Sequence, residues 1–275
     1  MRLRQNSRPA KIFLPPLVGI FLLISGFGTA SDYGTTGLID TPTARMQSDG
    51  VFSTTAAFDG RHRQFAITYQ ATPWLEGTFR YTGFDNFFHW DRNYEFKARL
   101  WDEDYYSPAV AIGIRDLVGT GVFGSEYVVA SKQFGQTDVS FGLGWGRLAG
   151  TGDISNPAKW ISSRFDVRNA EVGEGGELSL DNFFSGSEVG FFGGIEHRFR
   201  ALPLSLIAEY NPDQYDFNVA SGGLRPKSPL SVGFTWDALP GVAITASYQH
   251  QEELGLAFQF SLDSSAEPPR RPPND

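Results

Sequence analysis

The sequence ELGLAFQFSL at residues 253–262 alternates large apolar residues with small or polar ones from end to end. Its large apolar residues are Leu254, Leu256, Phe258, Phe260 and Leu262. An alternation of period two indicates a β-strand whose two faces meet different surroundings. If this strand belongs to a membrane barrel, we expect the earlier strands to alternate too, their number to be even, and the connections to be alternately short and long.

Three residues of this strand, Gly255, Phe258 and Phe260, form a glycine followed by spaced aromatics. This arrangement resembles the terminal signal of bacterial outer-membrane barrels, which implies the barrel-assembly machinery as a partner. The edge of the strand also needs a hydrogen-bonding partner. We expect it to pair with the first strand, at residues 51–57, and so to close the barrel.

The composition of the 275-residue chain favours long β-strands. Aromatic residues make up 15% of the chain and glycines number 31, whereas the mean hydropathy is −0.24. These values argue against a helical membrane protein, and the chain is too apolar and aromatic for disorder. Cysteine is absent, so we expect no disulfide, thiolate metal site or cysteine-linked lipid anchor. No cofactor is predicted.

Residues 1–30 have the pattern of a cleaved secretory signal peptide. Four basic residues precede a nearly continuous apolar run at 12–27, and the small residues Gly28, Thr29 and Ala30 follow it. The alternative is an uncleaved membrane anchor, but Pro15 and Pro16 interrupt the run that a spanning helix needs. We therefore exclude these residues from the prediction of the fold.

Without residues 1–30 the formal net charge falls from −8 to −12. An acidic chain argues against nucleic acid as a partner, because nucleic acid is bound by concentrated basic surfaces. The rest of the sequence contains no apolar run long enough for a membrane-spanning helix. A membrane location therefore requires a closed barrel.

The sequence predicts an all-β, antiparallel transmembrane β-barrel of about twelve strands at residues 50–262. A periplasmic lead-in is expected at 31–49, and a Pro-rich disordered tail at 263–275. The predicted strands are 51–57, 63–70, 75–82, 94–101, 110–115, 125–133, 137–146, 188–199, 204–210, 230–236, 242–249 and 253–262.

The predicted connections differ between the two ends of the barrel. The longest ones, above all 147–187 and 211–229, fall at the same end, as in outer-membrane barrels. Outward aromatic residues, with Trp145 among those at the outer ends, also cluster at both strand ends, like the two girdles of a membrane barrel. The alternative is a secreted soluble β-sandwich, whose strands alternate as well. It explains neither the girdles nor the unequal loops.

Charged residues on the opposite parity to the apolar face are predicted to face the lumen, where they avoid lipid. We favour an ion-pair lattice that fills a narrow barrel over a translocation path, and both remain open. The lumen-facing candidates are Glu76, Arg80, Glu95, Lys97, Arg99, Arg115, Glu126, Lys132, Glu188, Glu196, Arg198 and Glu209.

Catalysis has little support in the sequence. The four histidines, His62, His89, His197 and His250, show no spacing to a serine and a carboxylate that indicates a triad. No metal-ligating cluster is evident. We therefore predict that the protein is not an enzyme. An enzyme acting on lipid or glycan and a small-solute porin are the alternatives.

Several collinear segments resemble the YjbH-like exopolysaccharide-biosynthesis outer-membrane proteins. They are Gly37-Leu38-Ile39-Asp40-Thr41-Pro42-Thr43-Ala44-Arg45-Met46, Arg99-Leu100-Trp101, Arg115-Asp116, Gly119-Thr120-Gly121, Glu126-Tyr127, Val129-Ala130-Ser131-Lys132 and Leu143-Gly144-Trp145-Gly146. Longer members of the family continue into a further β-rich region.

This resemblance implies a barrel in the outer membrane of a Gram-negative bacterium, in contact with outer-membrane lipid. It also implies a role in export or assembly of an extracellular polysaccharide, as a conduit or as a scaffold, with periplasmic or lipoprotein export partners. The family offers no catalytic residues to assign. We expect the loop at 147–187 to meet the glycan, with Trp160 and Phe165 as candidate contacts.

Overall fold

The computed structural model describes residues 28–84, 90–168, 177–178, 182–220 and 225–264. Residues 1–27 of the predicted signal peptide and residues 265–275 of the predicted tail lie outside the described residues. His89 lies outside them as well.

Twelve long strands of the described residues form one antiparallel sheet. Burial alternates along most of them, as expected when one face packs inside and the other faces outward. The strands are β1 (Val51–Phe58), β2 (His62–Thr72), β3 (Leu75–Phe84), β4 (Trp90–Trp101), β5 (Ala109–Arg115), β6 (Ser125–Phe134), β7 (Thr137–Gly144), β8 (Glu188–Arg198), β9 (Leu204–Tyr210), β10 (Leu230–Leu239), β11 (Val242–Gln249) and β12 (Glu253–Asp263).

The sheet closes into a barrel at the seam between β12 and β1. Each strand pairs with the next along the chain, and the last pairs with the first. At the seam Phe260 lies opposite Thr54 and Phe258 lies opposite Ala56. Closure leaves no edge of the sheet without a partner. The prediction of an all-β antiparallel barrel of about twelve strands is confirmed, as is the predicted pairing of the last strand with the first.

The outward face of the barrel is apolar over most of its area. In β2, Phe65, Ile67 and Tyr69 are exposed, whereas Ala66 and Thr68 between them are buried inside. The position of Trp145 differs from its predicted place in the outer girdle. It follows the end of β7 and is buried under the long loop, where its Nε1 donates to Asn156 Oδ1 at 3.0 Å.

The two ends of the barrel differ in their connections. The short-turn end has the turns 73–74, 102–108, 135–136, 199–203 and 240–241, and the long-loop end has 59–61, 85–89, 116–124, 145–187, 211–229 and 250–252. The long loops contain the helix α1 (Asp216–Ala220), short 3₁₀ helices and two-residue strands. In the described part of the chain no helix is long and apolar enough to cross a membrane.

Residues 28–47, here called the plug, lie inside the barrel and are nearly all buried. The plug starts near the short-turn end, where the Ala30 amide donates to Gln259 Oε1 at 2.8 Å. It reaches the long-loop end at Asp40 and returns at Arg45, which bonds Asp138. The expectation that residues 31–49 form a lead-in outside the barrel is therefore wrong for residues 31–47. Because the plug has no alternation, the sequence alone did not indicate that the strands surround it.

Candidate functional site

The plug turn at residues 39–41 is held by the carboxylate of Glu209, which projects into the lumen from β9. The amides of Ile39, Asp40 and Thr41 donate to Glu209 Oε2 at 2.9, 3.0 and 2.9 Å. The Thr41 hydroxyl donates to the same oxygen at 2.9 Å. Hydrogen bonds to an ionised acceptor are among the stronger ones in proteins. The Glu209 carboxylate therefore supplies the acceptor for the amides of this turn, which lies outside the β-sheet.

A second set of wall residues, on β3 and β4, binds the plug nearer the short-turn end. Glu76 accepts from the Thr36 amide at 2.9 Å and from the Thr36 hydroxyl. Lys97 forms a 3.2 Å ion pair with Glu76 and donates to the carbonyl oxygens of Thr36 and Arg45, each at 2.9 Å. The wall thus supplies both an acceptor and a donor to the plug backbone. Such pairing is needed because buried backbone groups are costly to leave unbonded.

A third group of charges, Arg80, Glu95 and Arg115, packs around the plug residue Tyr33. Arg80 Nη2 donates to Glu95 Oε1 at 2.8 Å. The guanidiniums of Arg80 and Arg115 each lie 4.3 Å from the centre of the Tyr33 ring. Arg115 also donates to the carbonyl of Asp40 at 2.7 Å. These lumen charges are therefore paired with one another and with the plug.

The lumen wall is apolar along β5, β6 and β8. Its buried cluster includes the plug residue Ala44, which packs with Ala111, Tyr127, Val129 and Phe192. Gly142 makes room for this cluster, since a Cβ at that position would collide with the Phe192 ring. One side of the plug is thus held by charges and the other by apolar packing.

At the long-loop end, the plug residue Asp40 is tied to two loops through Tyr215 and His250. The Tyr215 hydroxyl donates to Asp40 Oδ2 at 2.9 Å and lies 3.0 Å from His250 Nε2. His250 Nδ1 donates to the Ser228 carbonyl at 3.0 Å. The side chains of Asp40, Tyr215 and His250 are all buried. They connect the plug to the loops and are shielded from any substrate in solution.

Burial and the neighbouring side chains have opposite effects on the pKa values of Asp40 and His250. Burial disfavours charge on Asp40, but His250, whose Nε2 lies 3.7 Å from Asp40 Oδ2, and the Tyr215 hydroxyl outweigh it, so the pKa of Asp40 lies below its ordinary value. Burial also opposes the charge of His250, but Asp40 outweighs it and raises the pKa of His250. The neighbouring Asp32 has its pKa raised well above the usual range, by burial and then by the charge of Asp40.

An aromatic cap covers the plug at the long-loop end. Phe123 stacks on Phe84 with ring centres 5.5 Å apart and meets Tyr33 edge to face at 6.0 Å. The guanidinium of Arg147 lies 4.7 Å from the Phe123 ring and 4.9 Å from the Tyr215 ring. Such contacts are favourable when the cation is desolvated. The lumen is therefore covered at this end by its own loops.

Beside the cap, the long loops enclose an open cleft of about 420 Å³. Its lining combines paired charges, amides and phenyl rings. The cleft is defined by Arg115, Asp116, Gly121, Val122, Gly124, Glu126, Gly146, Arg147, Gly150, Arg168, Asn182, Phe183, Asp213, Gln214, Asp216 and Phe217. A smaller recess of about 170 Å³ lies at the short-turn end between the plug and β6 to β8.

The lumen candidates predicted from sequence fall into three groups. Six are buried in the lumen around the plug, and four lie near the ends of the barrel on the predicted parity. The six are Glu76, Arg80, Glu95, Lys97, Arg115 and Glu209. Of the others, Glu196 and Arg198 line the recess at the short-turn end, Arg99 bonds the Pro73 carbonyl at the same rim, and Glu188 is exposed at the long-loop end.

The placement of Glu126 and Lys132 in the lumen was wrong. Both lie on the outward parity of β6, whose inward residues are Tyr127, Val129 and the buried Ser131. The prediction assumed that the polar face is the inner one, but the plug makes the inner face of this strand apolar. Glu126 is covered by the long loop, and Lys132 donates to the backbone carbonyls of the turn at 102–108.

The two glycan candidates lie on the long loop and outside the cleft. Trp160 ends a 3₁₀ helix and is 91% exposed, and Phe165 is half-buried in the next one. Their role in glycan contact stays a prediction. Residues such as Arg147 and Tyr215 were missed because they lie in loops without periodicity, and their contacts join distant parts of the chain. Among the described residues, no group of acidic or histidine side chains could hold a metal ion.

Comparison with known proteins identifies a family. Residues 29–272 match the model of the family described as exopolysaccharide biosynthesis protein YbjH. The uncharacterized lipoprotein YjbH of Escherichia coli (strain K12) is 36% identical over 244 residues. The match covers 84% of this chain and 34% of that protein. The chain therefore spans about a third of the length of this relative.

Solved structures similar to the chain include two porins. The KdgM porin is 6% identical with a TM-score of 0.44, covering 77% of this chain and 99% of that one. The NanC porin is 8% identical with a TM-score of 0.41, covering 77% of this chain and 98% of that one.

Proposed function

Because the chain belongs to the exopolysaccharide biosynthesis family, we propose that it supports export or assembly of an extracellular polysaccharide in the outer membrane of a Gram-negative bacterium. In this role it is a scaffold for periplasmic or lipoprotein export partners. It reaches the membrane through the barrel-assembly machinery, and outer-membrane lipid covers its apolar face. The name of the Escherichia coli relative, a lipoprotein, is consistent with an envelope setting.

The observation that favours a scaffold over an open conduit is the plug. Residues 29–44 are buried, and wall residues on β3, β4 and β9 bond the backbone of Thr36 and of the turn at 39–41. Removal of the plug would leave the carboxylates of Glu76 and Glu209 without these partners inside the lumen. Glu76 would keep its ion pair with Lys97, but water would have to replace the plug donors that both carboxylates lose. A permanently occupied lumen cannot pass a polysaccharide.

A gated conduit is the second candidate, because the plug enters and leaves by the same end of the barrel. A disulfide that locks the plug separates the two. The Ala44 amide donates to Ser131 Oγ at 2.9 Å, so cysteines at these two positions are close enough to test. The chain has no native cysteine to interfere.

The experiment measures exopolysaccharide output from cells that carry the Ala44→Cys and Ser131→Cys pair, with each single variant as a control. Mass spectrometry under non-reducing conditions verifies the cross-link. The scaffold predicts output near the wild-type level with the lock closed. Loss of output in the pair alone, restored by a reductant, would establish the gated conduit instead. Unchanged output after deletion of the whole protein would refute a role in export.

A further inference from the structure

We infer that the cleft at the long-loop end binds an uncharged, hydroxyl-rich segment of the polysaccharide. The inference rests on the proposed function and adds to it a binding site and a ligand class. The cleft lies between the loops 116–124, 145–187 and 211–229, outside the plugged lumen. A ligand there would meet the protein at the opposite end from the start of the plug.

The size of the cleft fits a short oligosaccharide segment. Its volume of about 420 Å³ falls near the lower end of the range for small-molecule sites, which is roughly 300–1,000 Å³. Glycines let the loops approach each other. A Cβ at Gly150 would collide with the Pro212 carbonyl, and one at Gly146 would collide with the Gly124 carbonyl.

The charges that line the cleft are matched within the protein. Arg147 Nε pairs with Asp213 at 2.7 Å. Arg168 donates two bonds to Glu126, at 2.7 and 3.0 Å. A charged ligand would have to compete with these contacts, whereas an uncharged one leaves them intact.

The remaining charged residues of the lining also have partners. Arg115 donates to the Asp40 carbonyl at 2.7 Å. Asp116 Oδ2 accepts from the Phe123 amide at 3.0 Å. Asp216 pairs with Arg225 at 3.1 Å. The charged residues of the lining are therefore already bonded within the protein, which disfavours an acidic or basic ligand.

The lining still offers groups suited to a sugar. The Nη1 and Nη2 atoms of Arg147 are buried between the Phe123 and Tyr215 rings and lie out of a ligand's reach, so the accessible groups of the lining carry the recognition. The amides of Asn182 and Gln214 and the rings of Phe183 and Phe217 complete the lining. Directed polar groups beside apolar faces match a pyranose, which has hydroxyls at its rim and C–H groups on its faces.

The cleft is preorganised by its own hydrogen bonds. Arg168 holds the long loop by bonding both Glu126 and the Asn182 carbonyl, the latter at 3.0 Å. Arg147 is fixed between the rings of Phe123 and Tyr215. Groups that are already in place lose less entropy when a ligand binds.

The test uses the full-length barrel in nanodiscs and titration calorimetry. The probe is a set of short oligosaccharides released by partial hydrolysis of the producing bacterium's own exopolysaccharide. Gln214→Trp fills the cleft without removing an ion pair, because Gln214 is uncharged, is half-buried and donates to the Pro212 carbonyl at 3.3 Å. The matched control is Leu202→Trp, which adds the same residue at an exposed position of the turn 199–203, at the opposite end of the barrel from the cleft.

We expect wild type and Leu202→Trp to bind alike and Gln214→Trp to lose at least about tenfold in affinity, which corresponds to 1.4 kcal/mol. Raising the salt from 0.1 to 0.5 M should change Kd by less than about twofold, because screening acts on charged ligands. Absence of binding to wild type, or equal binding by Gln214→Trp, overturns the site. A steep loss of affinity with salt overturns the uncharged ligand class.

The outcome is separable from that of the proposed function. If deletion of the protein abolishes exopolysaccharide output while Gln214→Trp neither weakens probe binding nor lowers output, only the cleft inference fails. If deletion leaves output unchanged, the proposed function fails whatever the cleft binds. An unchanged unfolding temperature of Gln214→Trp shows that the variant is folded.

Discussion

Glu209 in the lumen and Glu126 beside the cleft are both about 2% exposed, yet their partners differ. Glu209 accepts from three backbone amides and a hydroxyl of the plug. Glu126 accepts from the guanidinium of Arg168 and from the amide of Phe184. The lumen carboxylate thus supplies hydrogen bonds to a plug turn that lies outside the strands and helices. The cleft carboxylate fixes one arginine and leaves an open space beside it.

The two carboxylates therefore have different roles: Glu209 holds the plug in the lumen, and Glu126 shapes the cleft. In the lumen, the charged wall residues bond the plug and one another, so they do not line an open translocation path. At the long-loop end, charges pair side chain to side chain and support a cleft that a ligand can enter. The predictions below test this separation.

The largest effect is expected from Glu209→Leu. This change removes the acceptor of three buried amides, and each unsatisfied group costs about 1–3 kcal/mol. We expect a loss of roughly 3–6 kcal/mol in stability, measured as a lower temperature for the heat-dependent shift in gel mobility. Hydrogen exchange at residues 39–41 should become fast.

The matched variant for Glu209→Leu is Glu126→Leu. It removes a carboxylate of equal burial, but the released Arg168 is about 20% exposed and can reach water. We expect a smaller loss of about 1–2 kcal/mol and faster hydrogen exchange confined to the long loop. Equal losses in the two variants would contradict the distinction between plug and cleft.

The next effect concerns His250 and pH. Protonated His250 donates through Nε2 to the Tyr215 oxygen, which leaves the Tyr215 proton free for Asp40. Neutral His250 instead competes with Asp40 for that proton. Because the pKa of His250 is raised and that of Asp40 is lowered, this contribution is complete between about pH 4 and 6.5. It falls as pH rises through the raised pKa of His250, and at the acid extreme through the lowered pKa of Asp40.

The check is thermal unfolding of wild type and His250→Gln between pH 5 and 9. We expect wild type to lose stability toward alkaline pH and His250→Gln to lose about 1–3 kcal/mol at pH 5.5 and to show a flatter profile. His197→Gln is the control, since His197 lies near the short-turn end, where its Nδ1 is 2.9 Å from the Thr137 hydroxyl. A pH profile of His250→Gln parallel to that of wild type would refute the role of this bond.

The smallest effect is expected from Lys132→Ala at the short-turn end. The Lys132 ammonium holds backbone carbonyls of the turn at 102–108 and pairs with Glu103 at 3.2 Å, with Lys132 about 21% exposed. Its removal should cost about 0.5–1 kcal/mol and speed hydrogen exchange in that turn alone. Faster exchange in the plug would show that turn and plug act as one unit.

Much of the barrel wall was predictable because the alternation that indicates a strand is a property of neighbouring residues. The strands on which polar and apolar residues alternate, such as β2 and β12, were placed within one or two residues. The inner face of β3 and β4 was identified by its charges, because such residues avoid lipid. On β6 the same rule failed, since Tyr127 and Val129 pack inward against the plug cluster.

The plug could not be predicted from the pattern of its own residues. It holds its place through backbone amides and carbonyls, which every sequence has, and its partners lie far away along the chain. Glu209 and Ile39 are 170 positions apart. The segment Gly37 to Met46 carries part of the resemblance to the family, but its residue pattern does not indicate a place in the lumen. Only the closed wall shows what that segment does.

Single-channel conductance in planar bilayers tests the central claim, that the barrel is closed by its own plug. We predict that wild-type protein is electrically silent and that Glu209→Leu produces channel openings, with Glu126→Leu silent as the control. Steady open conductance through the wild-type barrel would contradict a closed lumen.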